Sequence, residues 1–279
     1  MRKDTVIRHK KIANDIMHYI YKHIDTDINL DELSINMDIS KFHMHRIFKE
    51  EFEQNIYEAI KSIRLTKAST LLLTNKNSTI TSVAKMCGYS SHGAFIRLFK
   101  SRFNMTPKEW KKGGYKTLVK FEKSFEYESV NPEIIKNSSK EVLYIRHKGY
   151  DKSIKNIWEK LIIWLYQNDI QDYTLIGYYH DIPAITSLKE CKYTAGVIVN
   201  EKVINTTFPT LTMPKLVYAK FKFKGLHKEF LDFINWIYFY WLVKSGYETT
   251  PEPSFCIYKN SSFLKNDIFE ADYYVSVYV

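Results

Sequence analysis

The sequence predicts a two-domain chain: an all-α N-terminal domain with two helix-turn-helix motifs, then a pseudo-symmetric α+β C-terminal domain. Three observations predict it. Up to residue 118, apolar residues recur at helical spacing between short turns. Beyond that, β-branched and aromatic runs alternate with two long helical patterns, as in α+β folds. Charge and aromatics also segregate. Residues 1–118 hold 21 Lys and Arg against 12 Asp and Glu, whereas residues 119–279 hold 20 against 19. Of 21 tyrosines, 16 lie after residue 118, with four of the five tryptophans. A small basic domain suits a polyanion such as double-stranded DNA. A near-neutral aromatic domain suits a pocket for a small apolar or cationic ligand.

Composition excludes several other classes. With 45% apolar and 26% charged residues the chain is of the folded, core-forming kind. No run approaches the roughly 18 apolar residues of a spanning helix, so no membrane partner is expected. The first twenty residues lack the apolar stretch of a secretory signal. Cys87, Cys191 and Cys256 are widely spaced with no CxxC pair, which argues against disulfides or a zinc site and fits a reducing cytoplasm. GxGxxG, P-loop and HExxH patterns are absent, so no cofactor is expected.

Along the basic domain, Ile12, Ile16, Tyr19, Ile20 and Ile24 recur at helical spacing. Asn29 reads as the N-cap of a short helix with Leu30, Leu33 and Ser34. Ser40 caps a second helix with Phe42, Ile47, Phe48 and Phe52, and a longer amphipathic helix runs from about Tyr57 to Leu73. The pattern then returns: Thr79 opens a short helix with Ile80, Val83 and Ala84, and Ser90 or Ser91 caps a helix with Phe95, Leu98, Phe99 and Phe103. Leu30, Leu33 and Ser34 fall 50 residues before Ile80, Val83 and Ala84. After a one-residue slip, Arg46, Ile47, Phe48, Lys49 and Phe52 fall 51 before Arg97, Leu98, Phe99, Lys100 and Phe103. Thr106-Pro107-Lys108-Glu109 starts a closing helix, and the two glycines of Lys111-Lys112-Gly113-Gly114-Tyr115 break it. The expected boundaries are 1–114, a linker at 115–125, and 126–279.

A short helix, a tight turn and a second helix with outward Arg is the helix-turn-helix pattern. Two copies held about 34 Å apart by the long helix reach successive major-groove segments of one duplex face. Phe48 and Phe99, with Ile47 and Leu98, are expected in the core. Residues near the N-terminal end of each second helix are expected to read bases: Phe42, His45 and Arg46 in the first copy, and His92, Gly93, Ile96 and Arg97 in the second. Lys41, Lys49, Lys100, Arg102 and Lys112 are expected at phosphates, where they position without specifying. His43-x-His45 is not a metal site, because the two side chains diverge on a helix and zinc wants three or four ligands.

The runs SKFHMHRIFKEEF, IRLTKASTLL and ITSVAKMCGYSSHGAFIRLFKSRFNMTPKEW resemble the DNA-binding domain of the AraC/XylS family of bacterial transcription regulators, over about residues 8–112. Arg64-Leu65 with Ala68, Ala84, Gly88-Tyr89, Phe95-x-Arg97-x-Phe99-Lys100 and Thr106-Pro107 carry the likeness. The resemblance implies the same base-reading positions. It departs at Glu53, where the family usually has glycine, and at Gly93, which offers no side chain at an expected contact.

The C-terminal part repeats too. Val142–Ile145 leads through Gly149 into a helix with Ile154, Ile157, Trp158, Leu161 and Leu165. Leu216–Ala219 leads through Gly225 into a helix with Phe230, Phe233, Ile234, Ile237 and Trp241. Strand-like segments follow each helix: Thr174–Tyr179 and Ala195–Val199, then Ser254–Tyr258 and Tyr273–Val279. Two such units are expected to bring their sheets together around a groove. The segments YIRHKGYDKSI, LIGYYHDIP, LVYAKFKFKG, YWLVKSGYE, PEPSFCIYKN and ADYYVSVYV resemble the GyrI-like ligand-binding domain, and the domain order is that of Rob-like regulators. That resemblance implies an aromatic groove with a glutamate for cationic ligands, but Pro253-Ser254-Phe255-Cys256-Ile257-Tyr258 puts Cys256 at the glutamate's place. A neutral thiol does not balance a buried cation.

The expected effector pocket is Tyr150, Trp158, Tyr179, Trp241, Cys256 and Tyr258, with Asp181 or Glu270 as substitute charges. Ordinary core packing is the competing account of each aromatic. The leading expectation is a non-enzymatic, sequence-specific DNA-binding regulator with RNA polymerase as a protein partner. The alternatives are a GyrI-like hydrolase, for which a Cys256–His180 pair would be the nucleophile, and a protein that sequesters ligands.

Overall fold

The structure is a computed structural model that describes residues 3–118, 127, 130–200, 206, 208–266 and 268–278. Most of the expected linker (119–125), and the last residue of the final strand, lie outside the described residues. The chain forms two compact units. One comprises Met1–Leu72, Ser78–Lys108 and Asn205–Pro209; the other comprises Leu73–Asn77, Glu109–Ile204 and Thr210–Val279.

The first unit is helical. Its helices are α1 (Lys3–Lys22), α2 (Leu30–Asn36), α3 (Lys41–Phe52), α4 (Ile56–Thr74), α5 (Ile80–Met86) and α6 (His92–Phe103), with α7 (Pro107–Lys111) at its end. Local chemistry fixes these boundaries, and it does so twice. The Asn29 side chain accepts from the Asp31 and Glu32 N–H groups to start α2, and the Thr79 hydroxyl accepts from the Ser82 N–H to start α5. Ser40 caps α3 at the His43 N–H, and Ser91 caps α6 at the Ala94 N–H. Each cap contributes about 1 kcal/mol by satisfying a donor the helix leaves open. Asp38 and Gly88 both turn the chain at positive φ (51° and 73°), so the extra residue of the second copy lies between Gly88 and Ser91. Ser91, not Ser90, is the cap. In the first module Met44, Phe48, Leu30 and Leu33 pack with Ile16 and Ile20 of α1, Ile24 just beyond it, and Ile56, Ile60 and Ile63 of α4. Phe95 and Phe99 are the fully buried counterparts in α6. Leu98 departs from expectation: Ile47 is 1% exposed, but Leu98 is only half-buried.

Both second helices end on a left-handed residue 51 positions apart, Glu53 (φ 55°) and Asn104 (φ 56°). Left-handed backbone costs a residue with a Cβ about 1–2 kcal/mol, and asparagine tolerates it best. Glu53→Gly removes that strain, against a smaller loss from a freer unfolded chain. The expected gain is about 0.5–1 kcal/mol in a urea titration, with a smaller gain for Asn104→Gly. Equal gains, or none, would refute the strain at Glu53.

The second unit is one antiparallel sheet under helices. Its strands are β1 (Glu133–Lys136), β2 (Lys140–Lys148), β3 (Tyr173–Tyr179), β4 (Lys192–Val199), β5 (Thr210–Met213), β6 (Val217–Leu226), β7 (Glu248–Thr249), β8 (Ser254–Tyr258) and β9 (Ile268–Tyr278). Helix α8 (Ile154–Gln167) follows β2, and α9 (His227–Trp236) follows β6. The strand order is β1-β6-β9-β8-β3-β4-β2-β5, with β7 paired to β9. The repeat expected from sequence is β2-α8-β3-β4 and β6-α9-β8-β9. The two halves do not stand apart as separate sheets around a groove. They join edge to edge through β3 and β8, with Gly177 opposite Cys256. Each half also lends its leading strand to the other, since β1 pairs with β6 and β5 pairs with β2.

Alternation sends two sets of side chains to opposite faces. Ile176, Tyr178, Phe255, Tyr218 and Tyr274 form one apolar cluster. Gly177, Tyr179, Tyr193, Cys256, Tyr258 and Tyr273 share the other face, which packs under α8 and α9. Gly177 is required there: a Cβ at that position would run into the Tyr193 phenol.

Candidate nucleic-acid interface and aromatic pocket

The helix-turn-helix modules present most of the expected contact residues outward. Phe42 is 81% exposed at the first turn of α3. Arg46 is exposed and lies 3.9 Å from Glu50, while Lys41 pairs with Asp31 on α2. Exposed pairs of this kind contribute about 0–1 kcal/mol, so they yield readily to a phosphate or a base edge. His45 is half-buried because its ring stacks on Tyr57 of α4 at 5.7 Å. Tyr57, 65% exposed, is expected from sequence only as the start of the long helix and not beside a recognition helix.

His43 turns the other way. Its Nε2 meets His9 Nε2 of α1 at 3.4 Å, and burial with nearby Arg46, His9 and Arg8 pushes its imidazole pKa down. In α6, His92, Gly93 and Arg97 are exposed and Ile96 is half-buried. Gly93 lies beside Arg97, whose Nη1 is 4.0 Å from where a Cβ would sit. Lys49, Lys100, Arg102 and Lys112 are exposed, but Lys112 belongs to the second compact unit, unlike the other three.

Five of the six expected pocket residues come together. The Tyr179 and Tyr193 hydroxyls each lie 3.1 Å from the Tyr258 hydroxyl, and Trp158 Nε1 donates to Tyr193 at 3.2 Å. Tyr150 donates to the Asp181 and Lys192 carbonyls, and its ring meets Tyr179 edge-on at 5.3 Å. Cys256 is fully buried among them. Tyr193, Phe230, Phe263 and Tyr273 complete the layer and are not among the residues expected in the pocket. The register could have found Tyr193 and Tyr273, since one pairs with Tyr179 and the other with Cys256.

Trp241 is not brought to the other five. It packs edge-on against Phe221 at 4.9 Å and stacks on Tyr247. The cause is local: after α9 the backbone winds as a π-helix over Ile237–Trp241, which rotates later residues off the expected face. The substitute charges are also occupied. Asp181 accepts from the Lys192 N–H at 2.7 Å and from the Thr186 hydroxyl. Glu270 pairs with Lys224 at 2.7 Å on the face away from Cys256.

The nucleophile pair does not assemble. His180 bonds Thr194 at 2.9 Å and stacks with Tyr178, on the face opposite Cys256. Burial pushes the Cys256 thiol up to about 12, so the thiolate is scarce at neutral pH. Cys87 and Cys191 are buried as well. A thiol-reactive disulfide reagent should therefore label none of the three rapidly in native protein and all three in denaturant. Rapid native labelling of Cys256 would show an open pocket.

Among the described residues no three His, Cys, Asp or Glu gather to hold a metal, and no helix is long and apolar enough to cross a membrane.

Residues 130–277 match the GyrI-like small molecule binding domain, and residues 33–113 match a helix-turn-helix domain. The xylose operon regulatory protein of Escherichia coli K12 is 36% identical over 95 residues, which is 34% of this chain and 24% of that protein. The chain thus spans about a quarter of that relative's length. The regulatory protein SoxS of Escherichia coli K12 is 31% identical over 103 residues, covering 37% of this chain and 95% of SoxS. Among solved structures, the EcmrR C-terminal domain aligns over 54% of this chain and 98% of its own at 14% identity, with a TM-score of 0.40.

Proposed function

Because the chain belongs to the AraC/XylS family of transcription regulators and carries a GyrI-like small-molecule-binding domain, we propose that it is a cytoplasmic, sequence-specific DNA-binding regulator that reads two half-sites with α3 and α6. The doubled module supports this reading most directly. Two helix pairs carry equivalent caps at Asn29 and Thr79 and at Ser40 and Ser91, and each presents an outward Arg. In this reading Phe42, His45, Arg46, His92, Ile96 and Arg97 meet bases, and Lys41, Lys49, Lys100, Arg102 and Lys112 meet phosphates. RNA polymerase is the protein partner that a regulator bound beside a promoter would touch.

The GyrI-like domain binds the effector in this proposal. Tyr150, Trp158, Tyr179, Cys256 and Tyr258 form the ligand-facing layer, and its uncharged character favours a neutral aromatic ligand over a cation. Hydrolysis is disfavoured, because Cys256 is buried and its thiol is held protonated, while His180 is engaged with Thr194 on the opposite face.

Selection of duplexes from a random pool by the full chain tests the reading. Two conserved half-sites about one helical turn apart are expected. Recovery of unrelated sequences would overturn it. Tight ligand binding with no DNA preference would instead favour the sequestering protein.

A further inference from the structure

Reading two half-sites at once demands more than two recognition helices. Their separation and rotation must be fixed, or each module binds independently and the gain of simultaneous contact is lost. Helix α4 links the modules covalently and packs Ile56, Ile60 and Ile63 into the core of the first, which leaves the turn of the second module still to be fixed against the first. Something must tie both ends.

One side chain touches both. Arg64 lies in the middle of α4 and is half-buried. Its Nε donates to the Ile24 carbonyl at 3.1 Å, and its Nη2 donates to the Thr26 carbonyl at 2.6 Å. Those carbonyls belong to the turn between α1 and α2, five and three residues ahead of the Asn29 cap of the first module. The same guanidinium lies 5.8 Å from the centre of the Tyr89 ring, in the turn of the second module. At Gly88 the fit is tight: a Cβ there would run into the Ile24 carbonyl oxygen itself and fall 2.6 Å from Arg64 Nη2, so the carbonyl that Arg64 grips lies directly against the second module's turn. Gly88 also has φ +73°, a conformation few other residues adopt. A planar fork of donors suits this place in a way a lysine ammonium does not, because it grips two carbonyls while its face lies on an aromatic ring.

We infer that Arg64 is a positioning residue for two-site DNA reading: it ties the α1–α2 turn of the first module to the Gly88-Tyr89 turn of the second, and so sets the separation and rotation of α3 and α6. The inference deepens the DNA-binding proposal and rests on it for its function. The tie itself is a geometric statement with its own readout.

The test uses the full chain in two arms. In the first, spin labels are placed on Glu50→Cys and Ser101→Cys, exposed positions 51 residues apart in the repeat, and the distance between them is measured by pulsed electron resonance. A narrow distribution is expected with Arg64 present, and one at least about twofold broader in Arg64→Ala. In the second, unlabelled protein is titrated with a selected two-site duplex, with the same duplex lengthened by five base pairs between sites, and with a single half-site. Arg64→Ala should lose roughly tenfold or more on the two-site duplex and about twofold or less on the half-site. It should also lose most of the spacing preference. Arg64→Lys should fall between.

An unchanged distance distribution in Arg64→Ala would overturn the tie. So would equal losses on one site and two with the spacing preference intact, since that is the signature of plain instability. If Arg64→Ala does not fold by circular dichroism, Arg64→Lys and Gly88→Ala decide by the same readouts, and wild-type behaviour in both overturns the inference. A narrow wild-type distribution that broadens in the variant, in a chain with no duplex preference, supports the tie and refutes the DNA reading instead.

Discussion

Raising salt from 50 to 200 mM should weaken binding of the full chain to its preferred duplex by roughly five hundredfold or more. Each phosphate neutralised by Lys or Arg releases condensed counterions, so the logarithm of affinity falls with a slope of about −0.9 per contact. The five residues assigned to phosphates, Lys41, Lys49, Lys100, Arg102 and Lys112, give a slope near −4.5 and hence roughly a five-hundredfold loss over fourfold salt. Any phosphate contact by Arg46 or Arg97 carries the loss past about a thousandfold. The ion pairs Lys41–Asp31 and Arg46–Glu50 subtract little, because both are exposed and weak. Filter binding across a salt series checks this, and a slope shallower than about −2 would remove most of the assigned contacts.

Single substitutions then sort the two classes. Lys100→Ala should flatten the slope by about one unit and weaken all sequences alike, while Arg97→Ala should cost about 1–3 kcal/mol on the preferred duplex and little on random DNA. Equal losses of Arg97→Ala on both would make it a phosphate contact.

Much of the doubled helical module was legible because helix boundaries are local. Asn29, Ser40, Thr79 and Ser91 each satisfy an open backbone donor within three residues, so sequence alone locates three of these four helix starts and leaves the fourth between Ser90 and Ser91. The one-residue slip was legible for the same reason. What escaped depends on long-range contact. Arg64 stands out in the sequence only as part of the family resemblance, and its tying role has no signal until its carbonyl partners, 38 and 40 residues away, are in place. The exchange of β1 and β5 between halves carries no periodic signal, since edge strands of four residues look alike wherever they pair. Trp241 followed the helical period faithfully, and a single π-helical turn changed its face.

The aromatic layer leads to the second large expectation: Cys256→Glu should destabilise the protein by several kcal/mol at pH 8 and much less at pH 5. The family's carboxylate would enter a site with no exposure, where Tyr179, Tyr193 and Tyr258 already spend their hydroxyls on one another. Burial penalises the charged form, so the folded-state pKa of such a glutamate rises, by as much as about 3 units for a fully buried group. A raised folded pKa means the native state holds its proton longer than the unfolded chain does. The penalty is therefore absent below the unfolded value of about 4.3 and grows by about 1.4 kcal/mol per pH unit until the folded value is passed.

The added bulk costs about 1–3 kcal/mol at every pH, and Cys256→Gln carries that cost without charge. The difference between the Glu and Gln variants in urea titrations isolates the electrostatic part. Tetraphenylphosphonium, a bulky apolar cation, should restore the Glu variant at pH 8 and leave the Gln variant and the wild type unaffected. A Glu variant with no pH-dependent excess over Gln would mean that water reaches Cys256. In that case the layer is an open pocket already able to host a charged guest, and the assignment of a neutral ligand fails.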